Sequence, residues 1–381
     1  MCLIAAELVL RRWFPLDTVV LQPDKRYLYK FIPNSRQLSR PLTASGAPTV
    51  LFTINSQGRR GELLPNDHSA RVIVYGDSFL AAEGTPLKQT FVSQLEQMLA
   101  VHVINAGVPG YGPDQASLVM EDEIDRTKPS LIVFAIYSGN DFGDLVRNKL
   151  FKLDQQGQLI RNDPALDPTL LRYFEDAQRQ QPLFQTIRRA RDILNTRHNI
   201  PAANAYLTHP QDLVDAWRQQ CQKEYENDVV EHDNQVHNLF ADAYDVDIST
   251  APQSDSARYK TALMERVVER VKAIAAKRSV PLIFLIIPSP IDVLDHWDVS
   301  LDSNRYPNYR RERLTGELEQ IVQKHDLYYL NLFQPFRNNR AQGLYYRGLD
   351  DHWNAKGQRL AAALMADYIG RTRNLQESIN H

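Results

Sequence analysis

Four short stretches of this 381-residue chain carry residue types that acyl transfer requires. Gly76-Asp77-Ser78 offers a hydroxyl, Asn105-Ala106-Gly107 a glycine amide, Gly139-Asn140-Asp141 a carboxamide, and Asp350-Asp351-His352 an imidazole beside carboxylates. Serine is a poor nucleophile until a base takes its proton, and histidine titrates in the useful range. The imidazole needs a carboxylate to fix its tautomer and stabilise its protonated form. Side chains at i and i+2 of an extended loop point the same way, so Asp350 is expected to address His352 while Asp351 points elsewhere. A tetrahedral intermediate needs preorganised donors, for which the Ser78 amide, the Gly107 amide and the Asn140 side-chain NH₂ are the candidates. Glycine at 107 also lets the backbone approach closely.

Each of these residues has a plainer use. Ser78 alone reads as a helix cap, Gly107 and Asn140 as turn residues, His352 as a surface or satisfied core residue, and Asp77 as an acceptor for loop amides. Their company favours the chemical reading. No metal or organic cofactor is expected. His232 and His237 would lie about 140° apart on a helix, the wrong geometry for a shared ion. Asp292, Asp295, His296 and Asp298 read as a polar loop after Pro290. Residues 107–112 lack the spacing of a dinucleotide fingerprint, and no Walker motif is present.

The elements that must position these groups are legible as apolar runs. Residues 71–75 (RVIVY), 101–104, 131–137, 281–287 and 327–332 read as strands. Phe91, Leu95, Met98 and Leu99 fall on one helical face, as do Leu263, Val267, Val271 and Ile274, and Leu314, Leu318 and Ile321. A last helix spans about 356–368. Solid hydrophobic runs separated by amphipathic helices imply a parallel sheet covered on both faces, with ligands at the carboxyl ends of its strands. The expected architecture is a three-layer α/β/α flavodoxin-like domain over residues 69–375. A β-rich N-terminal cap precedes it over 1–68. Residues 142–258 contain no convincing strand and read as a helical insertion, with patches such as Leu183, Phe184, Ile187, Ala190 and Leu194.

Composition narrows the function classes. Hydrophobic residues at 43% and charged residues at 24% exclude global disorder. Lys plus Arg number 44 against 46 acidic residues, a net charge of −2, which gives no electrostatic case for nucleic acid. The run Arg188, Arg189, Arg191 reads as a solvated helix face. Two cysteines, Cys2 and Cys221, are too few for a disulfide framework. Residues 1–10 are apolar apart from Glu7, are too short to span a membrane, and lack a basic leader and a cleavage site. They read either as a packing helix or as the tail of a membrane anchor, so membrane proximity through the N-terminus is open.

The four stretches, in order as VIVYGDSF, INAGVPGYG, YSGND and DDHWNAKG, resemble the conserved blocks of the SGNH (GDSL-type) hydrolases. Residues 54–61 (INSQGRRG) are similar to the N-S-x-G-x-R-G stretch before the serine in envelope- and polysaccharide-associated bacterial members. The resemblance implies the SGNH hydrolase fold, with Ser78 as nucleophile, His352 as base, and Ser78, Gly107 and Asn140 as the oxyanion hole. Two departures stand out. Ser138 replaces the first glycine of the third block, and Leu349 stands where the family's D-x-x-H places its aspartate, leaving Asp350 to orient His352 in a D-x-H spacing, with Asp351 as the alternative. The implied function is hydrolysis of short acyl esters, such as O-acetyl groups on a carbohydrate, through an acyl-enzyme. An O-acyltransferase on an envelope polysaccharide would use the same triad, and a non-catalytic carbohydrate-binding or assembly protein would keep the fold. The partner implied is an acyl ester or acylated glycan, and an exported or membrane-tethered location is favoured over a cytoplasmic one. Oligomeric state is not legible.

Overall fold

The computed structural model describes residues 20–39, 46–64, 69–179, 210–240, 243–347 and 350–380. The N-terminal apolar segment, the Arg188–Arg191 run, the helical patch around Leu183–Leu194 and Leu349 lie outside these residues.

Two antiparallel hairpins lead the described chain: β1 (Leu21–Asp24) with β2 (Leu28–Phe31), and β3 (Arg36–Ser39) with β4 (Val50–Thr53). The central sheet follows. Its strands are β5 (Arg71–Gly76), β6 (His102–Gly107), β7 (Leu131–Tyr137), β12 (Leu282–Ile287) and β13 (Tyr328–Asn331). They lie in the order β6-β5-β7-β12-β13, with every neighbouring pair parallel. Renumbered by appearance in this sheet, the order is 2-1-3-4-5, the flavodoxin-like arrangement.

The central strands β5, β7 and β12 are buried along their whole length, as their unbroken β-branched and aromatic runs require. Successive side chains alternate between two cores. Ile73, Tyr75, Phe134 and Phe284 face one cluster, while Val72, Val74, Val133 and Leu285 face the other. α3 (Pro113–Thr127), α8 (Asp255–Ala276) and α9 (Arg313–Lys324) cover the first face, through residues such as Ile124, Val267 and Leu318. α2 (Phe91–Leu99) and α10 (Ala355–Arg371) cover the second through Phe91, Leu95, Ala361 and Met365. The three-layer α/β/α expectation holds.

The stretch expected to be a helical insertion departs from that reading. Its first helix, α4 (Asp141–Asn148), is wholly buried and belongs to the core layer. A hairpin of β8 (Phe151–Leu153) and β9 (Leu159–Arg161) follows, and β10 (Ala165–Leu166) pairs in parallel with β11 (Gln235–Val236). These strands are two or three residues long and mostly half-buried or exposed, so no hydrophobic alternation announced them. Helices α5 (Pro168–Arg179), α6 (Pro210–Glu224) and α7 (Val246–Thr250) supply the helical part. Among the described residues, no helix is long and apolar enough to cross a membrane.

Candidate active site

The chain leaves β5 through Asp77 into a one-turn helix, α1 (Ser78–Ala81), whose first residue is Ser78. Asp77 Oδ1 accepts from the Phe79 amide at 3.0 Å, so this aspartate is the loop's cap, as its position suggested. Ser78 N–H belongs to the helix's unsatisfied first turn. The hydroxyl meets the far end of the chain: Ser78 Oγ lies 2.8 Å from His352 Nε2. On the other side of the ring, His352 Nδ1 lies 2.9 Å from Asp350 Oδ1, which also accepts from the His352 amide at 3.2 Å.

Asp351 stands farther from the ring, with Oδ1 at 3.3 Å from Nδ1, and its Oδ2 accepts from the Tyr137 hydroxyl at 2.6 Å. Asp351, expected to point elsewhere, thus also comes close to the ring, and what distinguishes Asp350 is its hydrogen bonds to both Nδ1 and the His352 amide. The loop carrying them is pinned by the Tyr345–Trp353 bridge and the fully buried Trp353. Asn354 then caps α10 by accepting from the amides of Lys356 and Gly357. The His352 ring rests against Phe79 at 5.0 Å between centroids, and Phe79 in turn meets Trp353 at 5.1 Å and Tyr137 at 4.4 Å. Aromatic packing therefore holds the imidazole beside the serine.

Asn140 sits at the end of β7 and lines the same cavity as Ser78 and His352. Its turn is fixed by backbone bonds: Asp144 N and an Arg147 guanidinium N–H donate to Asn140 O at 2.9 and 3.2 Å, and Asp245 N donates to Gly139 O at 2.7 Å. Ser138, at the position where the SGNH block has glycine, is buried, and its amide donates to Ile287 O at 2.8 Å. The close approach falls one residue later. A Cβ on Gly139 would come within 2.4 Å of the Tyr137 ring.

The Gly107 amide is already engaged, whereas its expected role requires a free donor. Its amide donates to Asn105 Oδ1 at 2.9 Å, while Asn105 Nδ2 donates to Leu80 O at 2.9 Å. Gly107 does not line the cavity. A Cβ there would fall 2.4 Å from Leu80 Cβ, so what demands glycine is the close packing of β6 against α1. The structure gathers Ser78, His352, Asp350 and Asn140 around one cavity of about 470 Å³ and leaves the Gly107 amide engaged beneath it.

Behind Asn140 lies a buried ionic network. Lys260 Nζ contacts Asp245 at 2.7 Å and Asp247 at 3.0 Å, and Arg147 binds Asp144 and Glu224. Burial pushes the Asp144 carboxyl up to about 7 despite Arg147. Asp292, expected to be part of a polar loop, is instead fully buried and accepts from the hydroxyls of Tyr244 and Tyr309 at 2.7 and 2.9 Å. Its carboxyl is pushed up to about 7 by burial. Asp295 stays at the surface, paired with Arg311 and Arg337. Asp350, Asp351 and His352 could present ligand atoms to a cation, but both ring nitrogens are already committed to Asp350 and Ser78.

Sequence reasoning missed Arg60. It is buried and donates to the carbonyls of Ala81, Ala82 and Thr85, clamping the loop that follows Ser78. Burial lowers its guanidinium to about 10. Its signal in the sequence is the INSQGRRG stretch, whose second arginine it is.

No family model and no curated protein matches the chain. Among solved structures, it resembles an acetyl xylan esterase, at 12% identity and a TM-score of 0.38 over 78% of this chain and 99% of that one. It also resembles the psychrotrophic esterase EstA from Pseudoalteromonas sp., at 12% identity and a TM-score of 0.37 over 80% and 98% of the two chains. A GDSL-like lipase from Bacteroides thetaiotaomicron gives 10% and 0.38, over 81% and 92%. At these values no residue role passes from those proteins to this one.

Proposed function

We propose that the protein is a serine-dependent hydrolase of acyl esters of the SGNH (GDSL) type. The carrying observation is the chain of contacts from Asp350 Oδ1 to His352 Nδ1 at 2.9 Å and from His352 Nε2 to Ser78 Oγ at 2.8 Å. Ser78 Oγ attacks the ester carbonyl carbon while its proton passes to His352 Nε2. Asp350 stabilises the imidazolium so formed. Collapse of the tetrahedral intermediate breaks the bond to the alcohol oxygen, which takes the proton from His352 and departs. Water then repeats the sequence on the acyl-enzyme, releasing the acid and restoring Ser78.

The developing oxyanion is met by the Ser78 N–H and the Asn140 carboxamide, both at the cavity wall. The Gly107 N–H would join them only if the Asn105 side chain turned away. Short acyl groups, O-acetyl on a carbohydrate among them, are the substrates the family resemblance implies.

The test is turnover of p-nitrophenyl acetate by the wild type and Ser78→Ala, with a thermal melt of each. The proposal expects activity to vanish in the variant while the melting temperature moves little. Full activity in Ser78→Ala would overturn it. Transfer to a glycan hydroxyl in place of water would appear in the same assay as acetylated glycan when an acceptor is added.

A further inference from the structure

The wall of the Ser78–His352 cavity includes Glu83, a residue to which hydrolysis as derived above gives no task. The loop presenting it is tied down on both sides. Arg60 holds the carbonyls of Ala81, Ala82 and Thr85, and the Tyr346 hydroxyl donates to Gly84 O at 2.8 Å while pairing with the Thr85 hydroxyl at 3.1 Å. At the centre of this rigid frame, among the described residues, the Glu83 carboxylate has no hydrogen bond and no ion pair. Burial pushes its carboxyl above the ordinary glutamate range, opposed through space by His352 and Arg60. Arg60 and His352 offset this charge only through space, so the carboxylate oxygens stay open to a donor carried by a ligand.

The rest of the wall says what that something is. The other carboxylates there each have a partner: Asp144 has Arg147, Asp350 has His352 and Asp351 has the Tyr137 hydroxyl. Among the described residues, no lysine or arginine lines the cavity, while the rings of Phe79, Phe240 and Tyr346 do. An anionic substrate would meet only like charge. A neutral hydroxyl could donate to Glu83 but would gain nothing from the aromatic part of the wall. A cation answers the carboxylate and suits a wall that also carries the rings of Phe240 and Tyr346.

We propose that Glu83 binds a protonated amine or quaternary ammonium group carried by the ester substrate. The proposal rests on Ser78 acting as the nucleophile in this cavity, so binding and turnover are read separately. In the full-length chain, the rate of Ser78 labelling by a fluorophosphonate is measured against choline, its neutral isostere 3,3-dimethylbutan-1-ol, and methyl β-D-glucopyranoside. Choline is expected to protect at about tenfold lower concentration than the isostere, a difference that collapses in Glu83→Gln and partly survives in Glu83→Asp. The ratio of kcat/KM for acetylcholine over 3,3-dimethylbutyl acetate follows the same pattern.

Equal protection by the isostere, better protection by the glucoside, or discrimination that persists in Glu83→Gln would overturn the amine site. Absence of labelling would instead sink the nucleophile. In that case calorimetric titration of choline into Ser78→Ala, with and without Glu83→Gln, still decides whether Glu83 takes a cation: binding lost with Glu83→Gln supports the site, and no binding overturns it.

Discussion

Replacing Asp350 with asparagine tests the assignment of the two neighbouring carboxylates. The imidazolium that forms as His352 takes the serine proton faces Asp350 Oδ1 at 2.9 Å and Asp351 Oδ1 at 3.3 Å. Distance alone barely separates them, since at ~3 Å and an effective dielectric of ~20 a unit charge pair is worth ~5 kcal/mol. The His352 side chain is 35% exposed, and screening at that exposure brings the figure down to ~3 kcal/mol. Direction is what distinguishes the pair. Asp350 Oδ1 receives Nδ1–H and the His352 amide together, whereas Asp351 is held away by the Tyr137 hydroxyl. A loss of ~3 kcal/mol from the transition state is on the order of 10²-fold in rate. Asp350→Asn should therefore lower kcat/KM for p-nitrophenyl acetate by on the order of 10²-fold, and Asp351→Asn by about tenfold at most. Both are assayed beside a thermal melt, so that unfolding is not read as lost chemistry. Equal losses, or the reverse ranking, would refute the assignment and move the orienting role to Asp351.

Other expectations follow from the framework around the site. Lys260→Met strands Asp245 and Asp247 in the core and should cost ~3–5 kcal/mol by denaturant melt. Lys260 overcomes burial to hold Asp247 below the usual carboxylate range, so the deficit should shrink at acid pH, where protonation removes the uncompensated charge. Gly107→Ala forces a Cβ to 2.4 Å from Leu80 Cβ and should cost ~1–3 kcal/mol while displacing α1, read as a fall in kcat alongside a lower melting temperature. Asp292 gives a pH signature. Burial raises its folded pKa to about 7, so the folded state favours the neutral form and wild-type stability falls as pH rises from ~4 through ~7. Asp292→Asn should escape that loss, so its melting temperature relative to wild type should rise between pH 5 and pH 8; a flat difference would contradict the burial argument.

The sheet was legible because its strands are buried on both faces. The runs at 71–75, 131–137 and 281–287 match β5, β7 and β12 to within a residue at each end, since nothing but solid apolar chain satisfies that environment. The ends of those strands pointed to Ser78 and Asn140, and the i, i+2 rule pointed to Asp350. What escaped was whatever depends on partners distant in sequence. The Gly107 amide was free on paper because nothing in the spacing shows Asn105 folding back onto it. The hairpin of β8 and β9 is too short and too exposed to carry a period. Glu83 and Lys260 look like ordinary surface charges in a one-dimensional reading. Only the fold shows that Arg60 and Lys260 are buried and that Glu83 lines the same cavity as Ser78.

The central claim, that Ser78 becomes covalently acylated with His352 as its base, is tested most directly by mapping the adduct of a fluorophosphonate by peptide mass spectrometry. The account predicts stoichiometric modification of the wild-type peptide containing Ser78, none in Ser78→Ala, and sharply slowed modification in His352→Ala. An adduct on another residue, or a wild-type protein that stays unmodified while folded, would contradict it.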